Sequence, residues 1–176
     1  ATGVTSPATS VRVLDDLNSD GIADVLSSDV QSVSGSVYAY AALKNDGSVI
    51  TWGGGGSGGD ATGVTTATNH SLPDLDSNGI ADLLESGVVS VFGGRYSFSA
   101  LKNDGSVVSW GHRRRGGDQT QASGDAQAMP LPDLNSNGIA DLLESNVVEI
   151  FATYRAYCAL KSDGSVVALG EDNEGG

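Results

Sequence analysis

The sequence predicts an all-β protein with short helices, built from three tandem blade-like repeats of 58 to 59 residues. One strand-turn-strand motif, ALKNDGSVVSWG or a close variant, occurs at 42–53, 100–111 and 159–170. An acidic stretch returns at the same two spacings, at 16–27, 74–85 and 133–144. Glycine is abundant, with 25 residues, and proline is scarce, with 4, which is typical of short strands joined by tight turns. Recurrence at a fixed period indicates structural units that stack on one another.

The spacing places the three units at 1–60, 61–118 and 119–176. Because the chain begins with alanine, we expect a processed protein or a piece of a longer one. The last unit stops at Gly-Gly, at the phase where the earlier units continue with Asp60 and Asp118. We therefore expect that copies can join end to end.

The second unit shows the predicted order of elements best. After the acidic loop, a short helical stretch is expected at 80–87, with Gly87 as its C-terminal stop. Alternating apolar residues then predict three strands, at 88–92, 97–102 and 106–110. Between the last two, Asn-Asp-Gly predicts a hairpin turn in which Gly105 adopts a positive φ.

A single unit of this kind cannot bury its own sheet face, so we expect the units to stack. Propeller blades or a β-solenoid fit the pattern better than a sandwich. Trp52 and Trp110 are expected to anchor the core, and Leu169 replaces them in the third unit. Cys158 is expected to be a small buried side chain.

The segment FSALKNDGSVVSWGHRRRGGD, at 98–118, resembles the repeat of the regulator-of-chromosome-condensation family, and most closely its bacterial secreted variety. The blades of that family carry the succession Ala-Leu, Asp-Gly, Trp-Gly, Gly-Gly. The resemblance covers about half of each unit and implies a β-propeller. The family's ring usually has seven blades, so three blades are too few to close one. The acidic loop and helix are not a standard part of its blade, and its nucleotide-exchange activity is not carried over.

The acidic loop of the second unit has the ligand spacing of an EF-hand-type or dockerin-like calcium loop. Its expected oxygen ligands, at positions one, three, five, seven, nine and twelve, are Asp74, Asp76, Asn78, the Ile80 carbonyl, Asp82 and Glu85. Gly79 permits the sharp turn at the sixth position.

The other two loops offer related ligand sets. The third unit supplies Asp133, Asn135, Asn137, the Ile139 carbonyl, Asp141 and Glu144. The first supplies Asp16, Asn18, Asp20, the Ile22 carbonyl and Asp24. Its twelfth position is Ser27, so Asp29 or water would have to complete the site. We therefore expect up to three Ca²⁺ ions, with weaker binding in the first and third loops.

An acidic turn that merely caps a helix is the alternative interpretation of each loop. Three matches in register, with up to four carboxylates converging in one loop, favour a cation, because the carboxylates repel one another. Calcium fits better than magnesium, which prefers few protein ligands and retained water. Weak sites fill only where calcium is millimolar, so we expect an extracellular or cell-surface protein.

The composition excludes several functions. With 22 Asp+Glu, 9 Lys+Arg and a formal charge of -13, the surface is not expected to bind nucleic acid. The single cysteine rules out an intrachain disulfide framework, and no apolar run is long enough to span a membrane. His70 and His112 are expected in loops without a catalytic arrangement, so an enzyme is not expected.

The only basic cluster, Arg113, Arg114 and Arg115, could contact an anion, a sulfated glycan or a protein partner. A solvated inter-blade loop is the preferred interpretation. A third possibility is that the acidic stretch at 171–174 of one subunit meets these arginines in another.

The favoured function is a calcium-stabilised extracellular structural or adhesive repeat protein. It would self-assemble into a ring or filament, or form a segment of a large surface protein whose neighbouring repeats are its partners. The alternative is a calcium-dependent glycan- or protein-binding propeller module, with 53–60, 111–118 and 170–176 as its recognition surface.

Overall fold

The computed structural model describes residues 11–63, 65–66, 68–120, 131–171 and 175. These residues form three antiparallel sheets in chain order. The first contains β1 (Val11–Arg12), β2 (Val30–Gly35), β3 (Ala39–Lys44) and β4 (Val49–Gly54). The second contains β5 (Asn69–His70), β6 (Val88–Gly93), β7 (Ser97–Lys102) and β8 (Val107–His112). The third contains β9 (Val147–Ala152), β10 (Ala156–Lys161) and β11 (Val166–Gly170).

The three strands predicted in the second unit are confirmed to within two residues. The short strands β5 and β1 were not predicted; each pairs with the last strand of its sheet. Asn69 lies opposite His112, for example, so each of these sheets gains a fourth strand. The corresponding part of the third unit falls within 121–130, outside the described residues.

The helices of the described residues are single 3₁₀ turns of three residues: Asp24–Leu26, Gly55–Ser57, Asp82–Leu84, Arg113–Arg115 and Asp141–Leu143. The helical stretch expected at 80–87 is therefore too long. Two bonds between residues three apart form its single turn: the N–H of Leu84 donates to the Ala81 carbonyl at 2.7 Å, and the N–H of Glu85 donates to the Asp82 carbonyl at 3.5 Å. Gly87 then adopts a φ of 75°, as expected for a stop, and β6 begins at the next residue. None of the described helices is long and apolar enough to cross a membrane.

The Asp-Gly hairpin turn has the same conformation in all three units. Gly47, Gly105 and Gly164 have φ values of 82°, 80° and 84°. Before each glycine, an aspartate accepts hydrogen bonds from the hydroxyl and the N–H of the serine two residues later; in the second unit these join Ser106 to Asp104 at 2.6 and 2.9 Å. The serine hydroxyl bond, followed by the N–H bond, holds the pKa of each of these aspartates below its ordinary value.

Neighbouring sheets pack face to face, and each turn touches the next unit. The N–H of Val88 donates to the carbonyl of Gly47 at 3.1 Å, and Val147 donates to Gly105 at 3.0 Å. A contiguous cluster of buried apolar residues runs through both junctions and includes Leu43, Trp110 and Tyr157 side chains. The stacking that the repeats predict is therefore observed as two equivalent junctions.

The second and third sheets each carry buried aromatic residues on the face that contacts the preceding unit. Phe98 and Trp110 stack at 5.4 Å, and both are fully buried. Gly58 of the first unit covers them, and the Trp110 indole N–H donates to its carbonyl at 3.0 Å. At the next junction Gly116 lies against Tyr157 in the same way.

Tyr157 has a polar handle that is satisfied inside the core. Its hydroxyl donates to the Ser97 carbonyl at 2.6 Å and accepts from the Gly94 N–H at 2.8 Å. Complete burial nevertheless raises the pKa of Tyr157 well above its ordinary value, against the opposing effects of the Ser97 hydroxyl, 3.2 Å away, and of the Gly94 N–H. The residue therefore stays neutral and acts as a structural anchor.

Two of the expected core positions differ from prediction. Trp52 is only half-buried and stacks at 5.5 Å on Tyr40, which is 51% exposed. Cys158 is half-buried on the opposite end of the stack, on the same side of the third sheet as Val166, which is 57% exposed. Both lie on sheet faces that no described unit covers, whereas their counterparts Trp110 and Ser99 are buried at a junction.

Candidate functional site at the acidic loops

The three acidic loops have one backbone conformation. Ser19, Ser77 and Ser136 have φ values of 59°, 59° and 58°, which is uncommon for non-glycine residues. Two positions later, the glycines have φ values of 85°, 86° and 85°. The loop is therefore a defined structure set by its own sequence.

Each loop is closed by its ninth residue. In the second loop the N–H of Asp82 donates to the carbonyl of Pro73 at 2.9 Å, and the Asp82 carboxylate accepts from the N–H of Leu75 at 3.1 Å. Equivalent bonds involve Asp24 in the first loop and Asp141 in the third. This double closure brings the beginning and the end of the acidic stretch together.

The second loop concentrates the acidic side chains most strongly. Carboxylate oxygens of Asp74, Asp76 and Asp82 lie within 4.8 Å of one another, the one such group of three acids in the described part of the chain. The Asn78 side-chain amide donates to Asp76 at 3.0 Å and to Glu85 at 2.5 Å. Five of the six predicted ligand residues thus converge through their side chains, and the sixth, Ile80, contributes only a predicted carbonyl.

The third loop gathers its residues around one acid. Glu144 accepts from the amides of Asn135 and Asn137 at 2.5 and 2.8 Å. Asp133 accepts from the N–H groups of Asn137 and Gly138 at 3.2 and 3.0 Å. Asn135 stands where the second loop has Asp76, so the third loop has the same shape with one negative charge fewer.

The first loop lacks an acid at its twelfth position. Ser27 uses its hydroxyl to bind the Asp24 carbonyl at 2.8 Å, and Asp29 accepts from its neighbour Ser28 at 2.7 Å. Asn18 donates to Asp20 at 3.1 Å, and Asp16 accepts from the Gly21 N–H at 3.0 Å. The first loop therefore keeps the backbone geometry of the other two, but fewer of its side-chain oxygens are connected to one another by hydrogen bonds.

Hard carboxylate and amide oxygens at this spacing fit Ca²⁺. In the second loop, a cation would be held by Asp74, Asp76, Asn78, Asp82 and Glu85. The amide hydrogen bonds of Asn78 now partly offset the repulsion between the carboxylates. Such a cation would supply charge neutralisation and would tie both ends of the loop together.

The second and third loops lie at the unit junctions. Residues 77–80 of the second loop, with residues 13–15 and Ile50 of the first unit, line a cleft of about 510 Å³. Within the loop itself, Ala81 and Leu84 are almost completely buried in the core, as are Ala140 and Leu143 of the third loop. Fixing the loop therefore fixes part of the junction.

A lysine of the Ala-Leu-Lys motif braces each loop against its own hairpin. Lys102 donates to the carbonyl of Leu83 at 2.9 Å. Lys44 binds the Val25 carbonyl, and Lys161 the Leu142 carbonyl, at 2.9 and 2.8 Å. The strict separation of 19 residues in all three units was a sequence signal for this contact.

Gln119 is a junction residue that sequence reasoning missed. Its buried amide group donates to the Val107 carbonyl at 2.7 Å and to the Ser109 hydroxyl at 3.0 Å. Its side-chain oxygen accepts from the N–H of Ala140 at 3.2 Å. It thus joins the last strand of the second sheet to the third acidic loop. The second unit has Ala61 at the same repeat position, so repetition gave no signal.

The basic cluster divides into different roles. Arg113 lies 2.9 Å from Asp118, whose side chain is 2% exposed, and His70 lies 3.6 Å from the same carboxylate. Burial, and then Arg113, lowers the pKa of His70, while Asp118 acts in the opposite direction. Arg114 is exposed, and Arg115 packs over Tyr96. The cluster is therefore not simply a solvated loop.

Both histidines lie in strands, so their expected placement in loops is wrong. His70 ends β5 and His112 ends β8. The same pairing that adds β5 to the sheet puts His70 opposite Gly111. Of the acidic stretch at 171–174, Glu171 pairs with Arg155 at 3.1 Å within the chain, and the other residues lie outside the described part.

The chain matches no protein-family model and none of the curated proteins compared with it. Among solved structures, human WBSCR16 is similar, with a TM-score of 0.51, 21% identity, and coverage of 84% of this chain and 35% of that one. Yeast RCC1 (Prp20), solved with Kap60 bound, has a TM-score of 0.47, 19% identity, and coverage of 80% and 29%. This chain thus spans about a third of these structures. The likeness to WBSCR16 shows a β-propeller repeat fold.

Proposed function

We propose that this protein is a calcium-stabilised structural propeller module that works outside the cell. The main support is one loop conformation repeated three times, with convergent acids in the second loop. The loops adjoin the unit junctions, so an ion in each would hold one end of a unit against its neighbour. The expected order of affinity is the second loop, then the third, then the first, following the number of side-chain carboxylates and the loss of the twelfth-position ligand.

An ion bound only by the folded chain raises the free energy of unfolding by mass action. About 100-fold excess over the dissociation constant contributes ~2.7 kcal/mol for one site. Millimolar extracellular calcium is high enough to fill weak sites, which is why the proposal places the protein at the cell surface or beyond it.

Thermal melting with calcium and with a chelator, combined with sizing in both states, tests this proposal. Calcium should raise the melting temperature of the native chain, and Glu85→Gln should reduce that rise. Glu149→Gln is the matched control, because Glu149 is exposed on β9 away from the loops. An identical melting temperature with and without calcium would contradict the proposal, as would an equal effect of the two substitutions.

The proposed structural role includes self-association through the uncovered end faces. Gly58, with a φ of 84°, covers the Phe98–Trp110 pair of the second unit, and Gly116, with a φ of 82°, covers Tyr157 of the third. Gly175 follows them at the repeat spacing and has a φ of 96°. The Tyr40–Trp52 face is the next acceptor in this series, and a third unit from a second copy would complete the contact head to tail.

Sedimentation over a range of concentrations tests the association. The native chain should form larger species, and Tyr40→Glu should abolish them. Val89→Glu is the control, because Val89 is 45% exposed in the central sheet rather than at an end. Monomers at every concentration, or an equal loss in both variants, would exclude head-to-tail assembly of this chain without affecting the calcium proposal.

A further inference from the structure

A cavity of about 630 Å³ lies between the first and second units, away from the acidic loops. Tyr38 and Tyr96 line it, with ring centres 6.2 Å apart and planes inclined by 31°. Gly53, Gly54 and Gly56 leave room at another side, and His112 and Arg115 complete the lining. Aromatic walls with a few convergent polar groups are typical of small-molecule sites.

Arg115 and His112 each carry a buried polar nitrogen that has no hydrogen-bond partner among the described residues. The Arg115 guanidinium carbon lies 4.5 Å from the centre of the Tyr96 ring. One of its terminal nitrogens is buried without a partner in this part of the chain, and so is Nδ1 of His112. A buried polar group without a hydrogen-bond partner destabilises the folded protein, and a hydrogen bond to a ligand would remove this penalty.

The second junction shows how a guanidinium is satisfied within this protein. The repeat aligns Tyr96 of the first junction with Arg155, and His112 with Glu171. Arg155 donates to the Glu171 carboxylate at 3.1 Å. The first junction has the imidazole of His112 where the second has this acid, so no acid stands at that repeat position for Arg115.

The electrostatic surroundings also favour an anion, although the whole chain is acidic. A second guanidinium, of Arg95, lies 4.6 Å from the same Tyr96 ring. Burial lowers the pKa of His112, and Arg115 and Arg114 lower it further, against the opposing charge of Glu171. Two guanidinium groups, of Arg95 and Arg115, thus lie beside the Tyr96 wall of the cavity.

We propose that this cavity binds an acidic saccharide. Arg115 and His112 hold the carboxylate, and the exposed ring of Tyr38 packs against the sugar ring, while Tyr96 holds Arg115 in place. A planar guanidinium matches a carboxylate with two parallel hydrogen bonds, and aromatic rings offer large apolar faces with a polar edge. The site involves no residue of the acidic loops, so it works without calcium.

The test compares D-glucuronate with D-glucose. The two sugars differ only in that glucuronate has a carboxylate where glucose has a hydroxymethyl group. Binding is measured by ligand-observed NMR and calorimetry in the presence of a chelator. Glucuronate should bind at least about tenfold more tightly than glucose, the value of a charge-assisted hydrogen bond. Arg115→Gln should remove this preference, and Tyr38→Ala should weaken the binding of both sugars.

Arg114→Gln is the matched control, because it removes the same charge from an exposed neighbour that does not line the cavity. It should leave the affinity for glucuronate within about twofold. Equal affinity for the two sugars, or equal losses in the two arginine variants, would overturn the proposal. Circular dichroism and melting temperatures show whether each variant is folded. Because calcium is chelated throughout, the result is independent of the proposed calcium sites.

Discussion

The first and second sheets each carry a stacked aromatic pair at the same repeat positions, but only the pair of the second sheet is fully buried. Tyr40 and Trp52 stack at 5.5 Å, and Phe98 and Trp110 stack at 5.4 Å. The first pair is partly exposed, whereas the second is fully buried beneath Gly58. The arrangement within each sheet follows from its own sequence, but burial is supplied by the preceding unit.

The apolar residues near the end of each acidic loop show the same contrast. Leu84 is completely buried at the first junction, while Leu26, its counterpart, is half-buried. The repeat thus encodes the shape of each unit locally, and stability accumulates at junctions, as in other stacked arrays. This difference can be tested with substitutions paired across the two units.

The largest contrast is expected between the two tryptophans. Trp110→Ala should lower the free energy of unfolding by about 3–5 kcal/mol, because it leaves a large cavity at the first junction. Trp52→Ala should cost only ~1 kcal/mol, since that side chain is already partly hydrated. Urea denaturation of both variants measures the difference. Equal losses would mean that the first sheet is covered in solution, as self-association predicts, so the measurement belongs at low protein concentration.

A glycine substitution should break the cover itself. In Gly58→Ala, the added carbon would lie 2.6 Å from the Phe98 ring at a φ of 84°. Backbone strain and overpacking together should cost about 2–4 kcal/mol. Gly56→Ala is the control, since nothing lies within 4 Å of its added carbon, and its change should stay within ~0.5 kcal/mol. Similar unfolding curves for the two variants would contradict the packing described for the first junction.

The second junction can be weakened through Gln119. Gln119→Ala would leave the Ala140 N–H and the Val107 carbonyl without their partner, at a cost of about 1–3 kcal/mol. Gln31→Ala, on an exposed strand position, should change stability by no more than ~0.5 kcal/mol. Chemical denaturation compares the two. Since the second unit tolerates Ala61 at this position, an unchanged stability would show that the third unit repacks in the same way.

The smallest effect should come from pH. Burial lowers the pKa of His70 below its ordinary value of 6.5, so the unfolded chain binds the proton more readily. The stability this histidine contributes is therefore present above pH 6.5 and falls as the pH drops below that value. Urea midpoints between pH 7.5 and pH 5.5 measure the loss. His70→Gln should make the urea midpoint less dependent on pH. A midpoint of the native chain that rises as the pH falls would contradict the predicted direction.

Local features of the fold could be predicted because they are determined by residues close to one another in the sequence. The Asp-Gly turn, the strands on either side and the tight glycine of each acidic loop depend on neighbours a few positions away. Repetition then supported the stacking of the units. The length of the helix was overestimated, because the left-handed Gly87 and the immediate start of β6 leave space for only one 3₁₀ turn.

Features that depend on one unit alone could not be predicted. Arg113 pairs with the buried Asp118, but the first unit has Gly55 at the repeat position of Arg113, so repetition did not indicate the pair. Gln119 joins two units at a position where repetition offered only Ala61 for comparison. The contrast between His112 at the first junction and Glu171 at the second likewise arises where the repeats diverge, so no periodic pattern could indicate it.

The lysine brace of each unit has an implication for how such a chain lengthens. Lys44, Lys102 and Lys161 each reach a carbonyl 19 residues earlier, so the brace never crosses a boundary. A duplicated gene segment of one period would therefore encode its own lysine brace. It would need from the preceding copy only the glycine that covers its aromatic residues, as Gly58 and Gly116 do. Growth by whole copies leaves every such support intact, whereas an insertion of half a period would separate a lysine from its carbonyl.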